Sequence, residues 1–221
     1  MMLSIPNVLT AEELESILAQ LESSKFIDGK TTAGWHARQV KHNYQLDRQA
    51  QGAEELKAIV QTALKRNVLF QMAMQPKEVH SLIFSRYEPG MSYGTHVDNA
   101  LMGGGTWRSD VSLTLFLSDP DSYQGGELVV EAIDGDRPVK LPAGTMVVYP
   151  SSSLHRVEPV TAGVRLVAVG WMQSLVRDPA EREILFDLDT VRRSIFQQSG
   201  KSIEFDLLSK THANLLRKWV D

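Results

Sequence analysis

The hydrophobic periodicity of this chain changes from helical to alternating near residue 79 and stays alternating to about residue 176. Stretches with the length and pattern of strands fill that interval: Glu78–Tyr87, Asp110–Ser118, Gly126–Ala132, Val139–Leu141, Thr145–Tyr149 and Val164–Met172. Turn residues separate them, and no helix-sized crossover lies between any two. Because parallel βαβ units need such crossovers, the pattern predicts an antiparallel sandwich or jelly roll.

Helical patterns lie on both sides of this β-rich interval. Thr10 and Glu13 have the spacing of a capping box before a first helix, and a second amphipathic helix is predicted over Ala53–Arg66. The dipeptide Asp178-Pro179 begins a third helix, and a fourth is predicted over Ile203–Trp219. We therefore predict an α+β fold in three parts: an N-terminal helical support segment (1–77), a jelly-roll core (78–176) and a C-terminal helical appendage (177–221). The appendage packs either on its own sheet or on a second copy as a homo-oligomer.

The chain has no cysteine among its 221 residues, which excludes disulfides, zinc–thiolate sites, iron–sulfur clusters and a cysteine nucleophile. Any metal must therefore be held by nitrogen and oxygen ligands. The net charge of −4 gives no reason to expect a nucleic-acid or acidic-membrane partner. The N-terminus does not resemble a secretory signal, and no apolar run approaches the roughly 18 residues that cross a bilayer, so a cytoplasmic protein is expected.

His96 and Asp98 are the first candidates for such a metal site. On an extended strand, two residues spaced by two leave the same face of the sheet. An imidazole and a carboxylate together are two-thirds of the 2-His-1-carboxylate triad, which holds Fe(II) and leaves coordination positions open. His155, which follows a predicted strand, is the candidate third ligand. The alternative for His155 is a loop histidine that hydrogen-bonds a backbone carbonyl.

Arg165 lies ten residues after His155, in a strand whose two faces are both apolar. A buried guanidinium is costly unless an anion is paired with it. Either an internal Asp or Glu forms a structural salt bridge with Arg165, or its planar fork binds the carboxylate of a ligand close to the metal.

The pattern Y-x-x-G-x-x-Y-x-x-H-x-D (Tyr87–Asp98), followed by His155 and by Arg165, resembles the Fe(II)/2-oxoglutarate-dependent dioxygenases. The prolyl-4-hydroxylase-like group, and within it the bacterial PKHD-type hydroxylases, are the most similar subset. The resemblance covers residues 79–172 strongly, and both ends of the chain also look like PKHD-type proteins. It implies a double-stranded β-helix, the jelly roll of this superfamily.

The resemblance assigns roles to individual residues. It implies that His96, Asp98 and His155 are the iron ligands and that Arg165 binds the distal carboxylate of the cosubstrate 2-oxoglutarate. Tyr87 and Tyr93 match tyrosines that line the cosubstrate pocket, and the alternative for each is an aromatic core residue with a locally satisfied hydroxyl. The segment Met102–Trp107 is either a lid over the substrate or a plain hairpin connection.

The implied reaction uses O2 and couples oxidative decarboxylation of 2-oxoglutarate, to succinate and CO2, with hydroxylation of a C–H bond in a small-molecule or peptide substrate. Ascorbate is the family's usual reductant, and the PKHD-type group is associated with bacterial iron supply. One alternative is a non-catalytic jelly-roll module that senses iron or a small carboxylate. Another is a cupin-like zinc or manganese hydrolase, which would lack an evident general base and would leave Arg165 unexplained.

Overall fold

The computed structural model describes residues 1–221 and contains both helices and sheets. The helices are α1 (Ala11–Glu22), α2 (Ala53–Arg66), α3 (Val68–Met74), α4 (Pro179–Ser199) and α5 (Ile203–Trp219). The strands are β1 (Leu3–Ile5), β2 (Phe26–Asp28), β3 (Lys41–His42), β4 (Tyr44–Leu46), β5 (Pro76–Tyr87), β6 (Ser92–His96), β7 (Leu101–Met102), β8 (Trp107–Arg108), β9 (Val111–Phe116), β10 (Tyr123–Gly125), β11 (Leu128–Ala132), β12 (Gly135–Val139), β13 (Met146–Pro150), β14 (His155–Val157), β15 (Val160–Gly163) and β16 (Arg165–Ser174). No helix combines the length and the apolarity that a membrane crossing requires.

Two antiparallel sheets form the centre of the fold. A seven-stranded sheet has the order β1-β13-β9-β16-β5-β4-β2, and a five-stranded sheet has the order β12-β11-β14-β6-β3. Two short ribbons, β10-β15 and β7-β8, complete the β structure. This is the α+β jelly roll that the alternating pattern predicts, with helices at both ends of the chain.

The two faces of β9 divide the core. Its apolar set, which includes Val111, Leu113 and Leu115, packs with the helices α1–α3 in a cluster of 24 buried residues. Phe116 points the other way, into a cluster of 11 buried residues contributed by both sheets. The more polar set of β9 therefore faces the space between the sheets, where a polar site can form.

The helix predictions agree with the structure. Thr10 accepts a hydrogen bond from the backbone N–H of Glu13, whose carboxylate accepts one from the N–H of Thr10, as a capping box requires. The bounds of α2 and α5 are those predicted, and Asp178 caps α4. The short helix α3 was not predicted, because Asn67 interrupts an apolar pattern that otherwise continues from α2. Asn67 both closes α2 and caps α3.

Some strand predictions were wrong or incomplete. The predicted strand Val139–Leu141 is displaced, since β12 spans Gly135–Val139 and ends where the prediction begins. Ala132 pairs with Gly135 across a two-residue turn, so pairing starts at once along an exposed polar strand that has no apolar alternation. The strands β2, β3 and β4 were also missed, in a stretch from about Ser23 to Gln51 that appeared only polar.

Candidate metal centre

His96, Asp98 and His155 come together between the sheets. His96 ends β6, and His155 begins β14 directly opposite it. The spacing argument placed Asp98 on the same strand as His96. In the structure Asp98 lies two residues beyond the end of β6. One nitrogen or oxygen atom from each of the three residues lies within 4.8 Å of the others, and His155 Nε2 is 3.7 Å from Asp98 Oδ2. No other group of three His, Asp or Glu side chains meets this condition.

Backbone carbonyls orient both imidazole rings. His96 Nδ1 donates to the carbonyl oxygen of Gly94 at 2.8 Å, and His155 Nδ1 donates to that of Ser153 at 3.0 Å. A carbonyl only accepts, so Nδ1 carries a proton in each ring, and Nε2 is the ring nitrogen that remains for a metal. The sequence offered a hydrogen bond to a backbone carbonyl as the alternative role of His155. That bond is present, and it leaves the other ring nitrogen of His155 for a metal.

Burial keeps His96 in its metal-binding form. His96 and His155 are 7% and 5% exposed. Desolvation, and next the charge of His155, lowers the pKa of His96 to about 4. Metals bind the neutral imidazole, so His96 needs to release no proton at neutral pH.

Ser112 supports the carboxylate of Asp98. The hydroxyl of Ser112 donates to Asp98 Oδ2 at 2.6 Å, and its oxygen lies 2.8 Å from the hydroxyl of Ser151. Ser112 belongs to the polar set of β9 that faces inward. Ser112 was not among the site residues named from the sequence, although the alternation of β9 was the available signal.

Arg165 is buried without a counter-ion. It is 1% exposed, forms no ion pair with any Asp or Glu, and leaves Nε and Nη1 without a hydrogen-bond partner. Its guanidinium lies over the rings of Tyr87 and Phe116, at 5.0 and 5.6 Å from their centroids. The alternative of an internal salt bridge is therefore not formed. A buried guanidinium with unused donors fits the carboxylate of a ligand.

Tyr123 and Gly126 adjoin Arg165, and neither was among the site residues named from the sequence. The hydroxyl of Tyr123 is buried and has no hydrogen-bond partner. Gly126 has a positive φ of 68°, and a Cβ placed there would lie 3.0 Å from Arg165 Cδ and 3.2 Å from Tyr123 Cε2. The missing side chain at Gly126 leaves room for both Arg165 and Tyr123.

The two tyrosines named from the sequence have different surroundings. Tyr87 is 3% exposed and pairs with Arg165 across β5 and β16. Burial raises the pKa of Tyr87, and the positive charge of Arg165 opposes that rise. Tyr93 stacks on His96 with ring centroids 3.6 Å apart and an interplanar angle of 17°. Tyr149, which was not predicted, packs edge-on against His155 at 5.1 Å.

A cavity of about 350 Å³ opens from the three ligands to the surface. Its charged lining residues are Lys41, Arg48, Asp98 and Arg165. The β7-β8 hairpin, which contains the Met102–Trp107 segment, lies at its rim, and Trp107 stacks on His80 with centroids 6.1 Å apart. The volume is within the usual range for a small-molecule site.

The donor set fits a divalent iron ion. Two imidazoles and one carboxylate, with ligand atoms all within 4.8 Å of one another, are the ligands that non-haem Fe(II) oxygenases use, and no thiolate is present. The unused donors of Arg165 fit a dicarboxylate cosubstrate beside the metal.

Comparisons with known proteins show the family of this chain. Residues 82–173 match the family model of the 2OG-Fe(II) oxygenase superfamily. A PKHD-type hydroxylase of Rippkaea orientalis is 66% identical over 220 residues, covering 99% of each chain. One of Crocosphaera subtropica is 61% identical over the full length of both.

Solved structures show the same fold at low identity. A Pseudomonas putida prolyl-4-hydroxylase is similar with a TM-score of 0.53 and 22% identity, over 78% of this chain and 92% of that one. A prolyl hydroxylase from Trichoplax adhaerens has a TM-score of 0.56 and 16% identity, over 83% of this chain and 86% of that one.

Proposed function

The chain belongs to the PKHD-type hydroxylases of the 2OG-Fe(II) oxygenase superfamily, and from that membership we propose which of its residues carry the reaction. The enzyme is a dioxygenase of a family that depends on Fe(II) and 2-oxoglutarate. We assign His96, Asp98 and His155 as the iron ligands. The observation that carries this assignment is the convergence of their ligand atoms within 4.8 Å.

Other residues position the ligands and the cosubstrate. Ser112 holds the Asp98 carboxylate, and the carbonyls of Gly94 and Ser153 fix the imidazole tautomers. Arg165 binds the distal carboxylate of 2-oxoglutarate with the donors that have no protein partner, and Tyr123 offers its hydroxyl nearby.

Tyr87 and Tyr93 form part of the cosubstrate pocket. Tyr87 provides a ring under the guanidinium of Arg165, and Tyr93 fixes the plane of His96 by stacking. Buried aromatic side chains also exclude water from the centre, which strengthens the electrostatic contacts within it.

Bound Fe(II) supplies the oxidising chemistry, in which 2-oxoglutarate is decarboxylated to succinate and CO2 while a substrate C–H bond is hydroxylated. We propose that the substrate is a small molecule or a peptide and that the reaction is linked to bacterial iron supply. Ascorbate serves as a reductant that keeps the iron ferrous. We also propose that the enzyme acts in the cytoplasm and does not bind nucleic acid.

The proposed reaction has a direct test. Purified enzyme is titrated anaerobically with Fe(II) and 2-oxoglutarate, then incubated aerobically with a cell extract, with and without ascorbate. We expect both to bind, succinate to form, and mass spectrometry to detect an extract component that gains one oxygen atom. Failure to bind either Fe(II) or 2-oxoglutarate would contradict the proposal. The proposed link to iron supply would be contradicted if the transcript level of the gene for this enzyme were the same under iron starvation and iron repletion.

A further inference from the structure

Lys41 is a buried cation in the wall of the cavity. Its side chain is 6% exposed and lines the cavity beside the metal centre. Its ammonium donates to the hydroxyl of Thr32 at 3.2 Å and lies 5.1 Å from the centroid of Tyr93, but it forms no ion pair with a carboxylate. A lysine at a protein surface normally keeps its ammonium in water, so the burial of this one requires an explanation.

The backbone directs Lys41 inward. Lys41 pairs with Tyr93 on β6 of the five-stranded sheet, and a few residues later Tyr44 pairs with Arg86 on β5 of the seven-stranded sheet. This crossing segment closes one end of the sandwich. Alternate residues Lys41, Asn43 and Gln45 are buried and line the cavity, whereas the residues between them are exposed.

Edge protection is the structural alternative. β3 is an edge strand, and inward-pointing charges can block edge-to-edge pairing. That role does not require the ammonium to lie in a ligand cavity. Lys41 lines the cavity that also contains the three metal ligands.

The charges of the cavity, taken with the proposed function, leave Lys41 without a counter-ion. The cation Fe(II) and Arg165 together balance Asp98 and the dianion of 2-oxoglutarate. Asp98 is the only carboxylate in the lining. Two cations then remain, Lys41 inside the cavity and the exposed Arg48.

We propose that Lys41 binds a carboxylate of the substrate, so that the enzyme hydroxylates carboxylic acids, with Arg48 attracting the anion. A single buried ammonium matches the single charge of a carboxylate. The exposed side chains of Val97 and Leu101 also line the cavity, which suits an apolar carbon skeleton attached to that carboxylate. This assignment rests on the proposed function for its charge balance.

The test uses two matched pairs of probes, phenylacetate with phenylacetamide and N-acetyl-L-prolinate with N-acetyl-L-prolinamide. Their affinities are measured by ligand-observed NMR on enzyme that contains diamagnetic Zn(II) and saturating 2-oxoglutarate, which occupies Arg165. We expect the wild type to bind each carboxylate at least about tenfold more tightly than its amide, because a hydrogen bond to a charged group contributes more than a neutral one. Lys41→Met is expected to remove this preference, and Lys41→Arg to keep it.

Lys140→Met is the matched control. Lys140 also lies over a tyrosine ring, 4.1 Å from the centroid of Tyr123, but it does not line the cavity, so this variant is expected to keep the preference. If Lys41→Met does not fold, Lys41→Gln provides the same comparison. No probe binding to the wild type, no preference in it, or an equal preference in the Lys41 variants would each overturn the assignment.

The affinity for 2-oxoglutarate is measured separately for every variant. If the wild type did not bind 2-oxoglutarate, the proposed function would be overturned. Whether probe binding depends on Lys41 is decided by comparing the Lys41 variants with the wild type. A Lys41→Met variant that lost 2-oxoglutarate binding together with probe binding would instead place Lys41 in the cosubstrate site and overturn this inference.

Discussion

His96 and His155 lie directly opposite each other on the antiparallel strands β6 and β14, with ring centroids 4.3 Å apart. The register of two strands thus brings together two imidazoles that are far apart in the chain. Both rings are buried, and in both Nδ1 hydrogen-bonds a backbone carbonyl, which leaves Nε2 for a metal.

Replacing His155 is expected to abolish iron binding. Fe(II) affinity of His155→Ala should fall by more than about a hundredfold, since groups that only support a ligand already contribute ten- to a hundredfold. His42→Ala, at an exposed histidine outside the cavity, is the control and should bind Fe(II) as the wild type does. Anaerobic titration measures both, and tight binding by His155→Ala would exclude His155 as a ligand.

Arg165→Met should weaken 2-oxoglutarate binding much more than iron binding. Each hydrogen bond to a charged group contributes about 1.5–3 kcal/mol, which is roughly ten- to a hundredfold in affinity. 2-Oxoglutarate should therefore raise the melting temperature of the wild type but not of the variant. Equal loss of iron and cosubstrate affinity would instead indicate that Arg165 has a structural role.

Ser112→Ala removes the hydroxyl that supports Asp98. We expect Fe(II) affinity to fall by about ten- to a hundredfold, because outer hydrogen bonds orient metal ligands. Ser151→Ala removes only the hydroxyl behind Ser112 and should have a smaller effect. The idea fails if the two variants bind Fe(II) equally well.

Gly126→Ala should disturb the position of Arg165. The added methyl would lie 2.9 Å from Val160 Cγ2 and 3.0 Å from Arg165 Cδ, at a φ of 68°. The positive φ costs roughly 1–2 kcal/mol by itself, and the crowding should also weaken 2-oxoglutarate binding. Gly90→Ala is the control for strain alone, since Gly90 has a φ of 89° but no atom within 4 Å of an added Cβ. Equal cosubstrate affinity in both variants would show that crowding at Gly126 is unimportant.

The buried Lys41 predicts a pH-dependent stability. Desolvation lowers the pKa of Lys41 from 10.5 to about 8, although the charges of Asp98 and Asp28 oppose this. Between these values the unfolded chain keeps a proton that the native protein has lost, so the free energy of unfolding should rise with pH. Between pH 8 and pH 10.5 the free energy of unfolding should increase by an amount on the order of 3 kcal/mol.

Urea unfolding of the wild type and of Lys41→Met between pH 8 and pH 10.5 gives the free energy of unfolding of each protein. The difference between the two values is the contribution of Lys41. Below pH 8 the variant should be the more stable protein, because it lacks the desolvated charge. A difference in stability that stays constant between pH 8 and pH 10.5 would contradict the shifted pKa.

Local patterns predicted the elements whose stability is local. The capping box at Thr10 and the bounds of α5 depend on neighbours within a few residues, and both agree with the structure. β3 was not predicted, because its hydrogen bonds are made with the distant strand β6 and its own sequence is polar. β12 was displaced in the prediction because its exposed polar sequence has no apolar alternation, although its partner β11 is adjacent in the chain.

The sequence by itself determined the jelly-roll class, the absence of thiolate ligands and the order of His96, Asp98, His155 and Arg165. Only the tertiary structure decided that Arg165 has no internal partner, that Ser112 supports Asp98, and that Lys41 points into the same cavity. Periodicity and spacing describe which face a side chain occupies over a few residues. Whether two faces meet depends on strand register and on the crossing of the chain between sheets, and those are fixed by contacts between segments far apart in sequence.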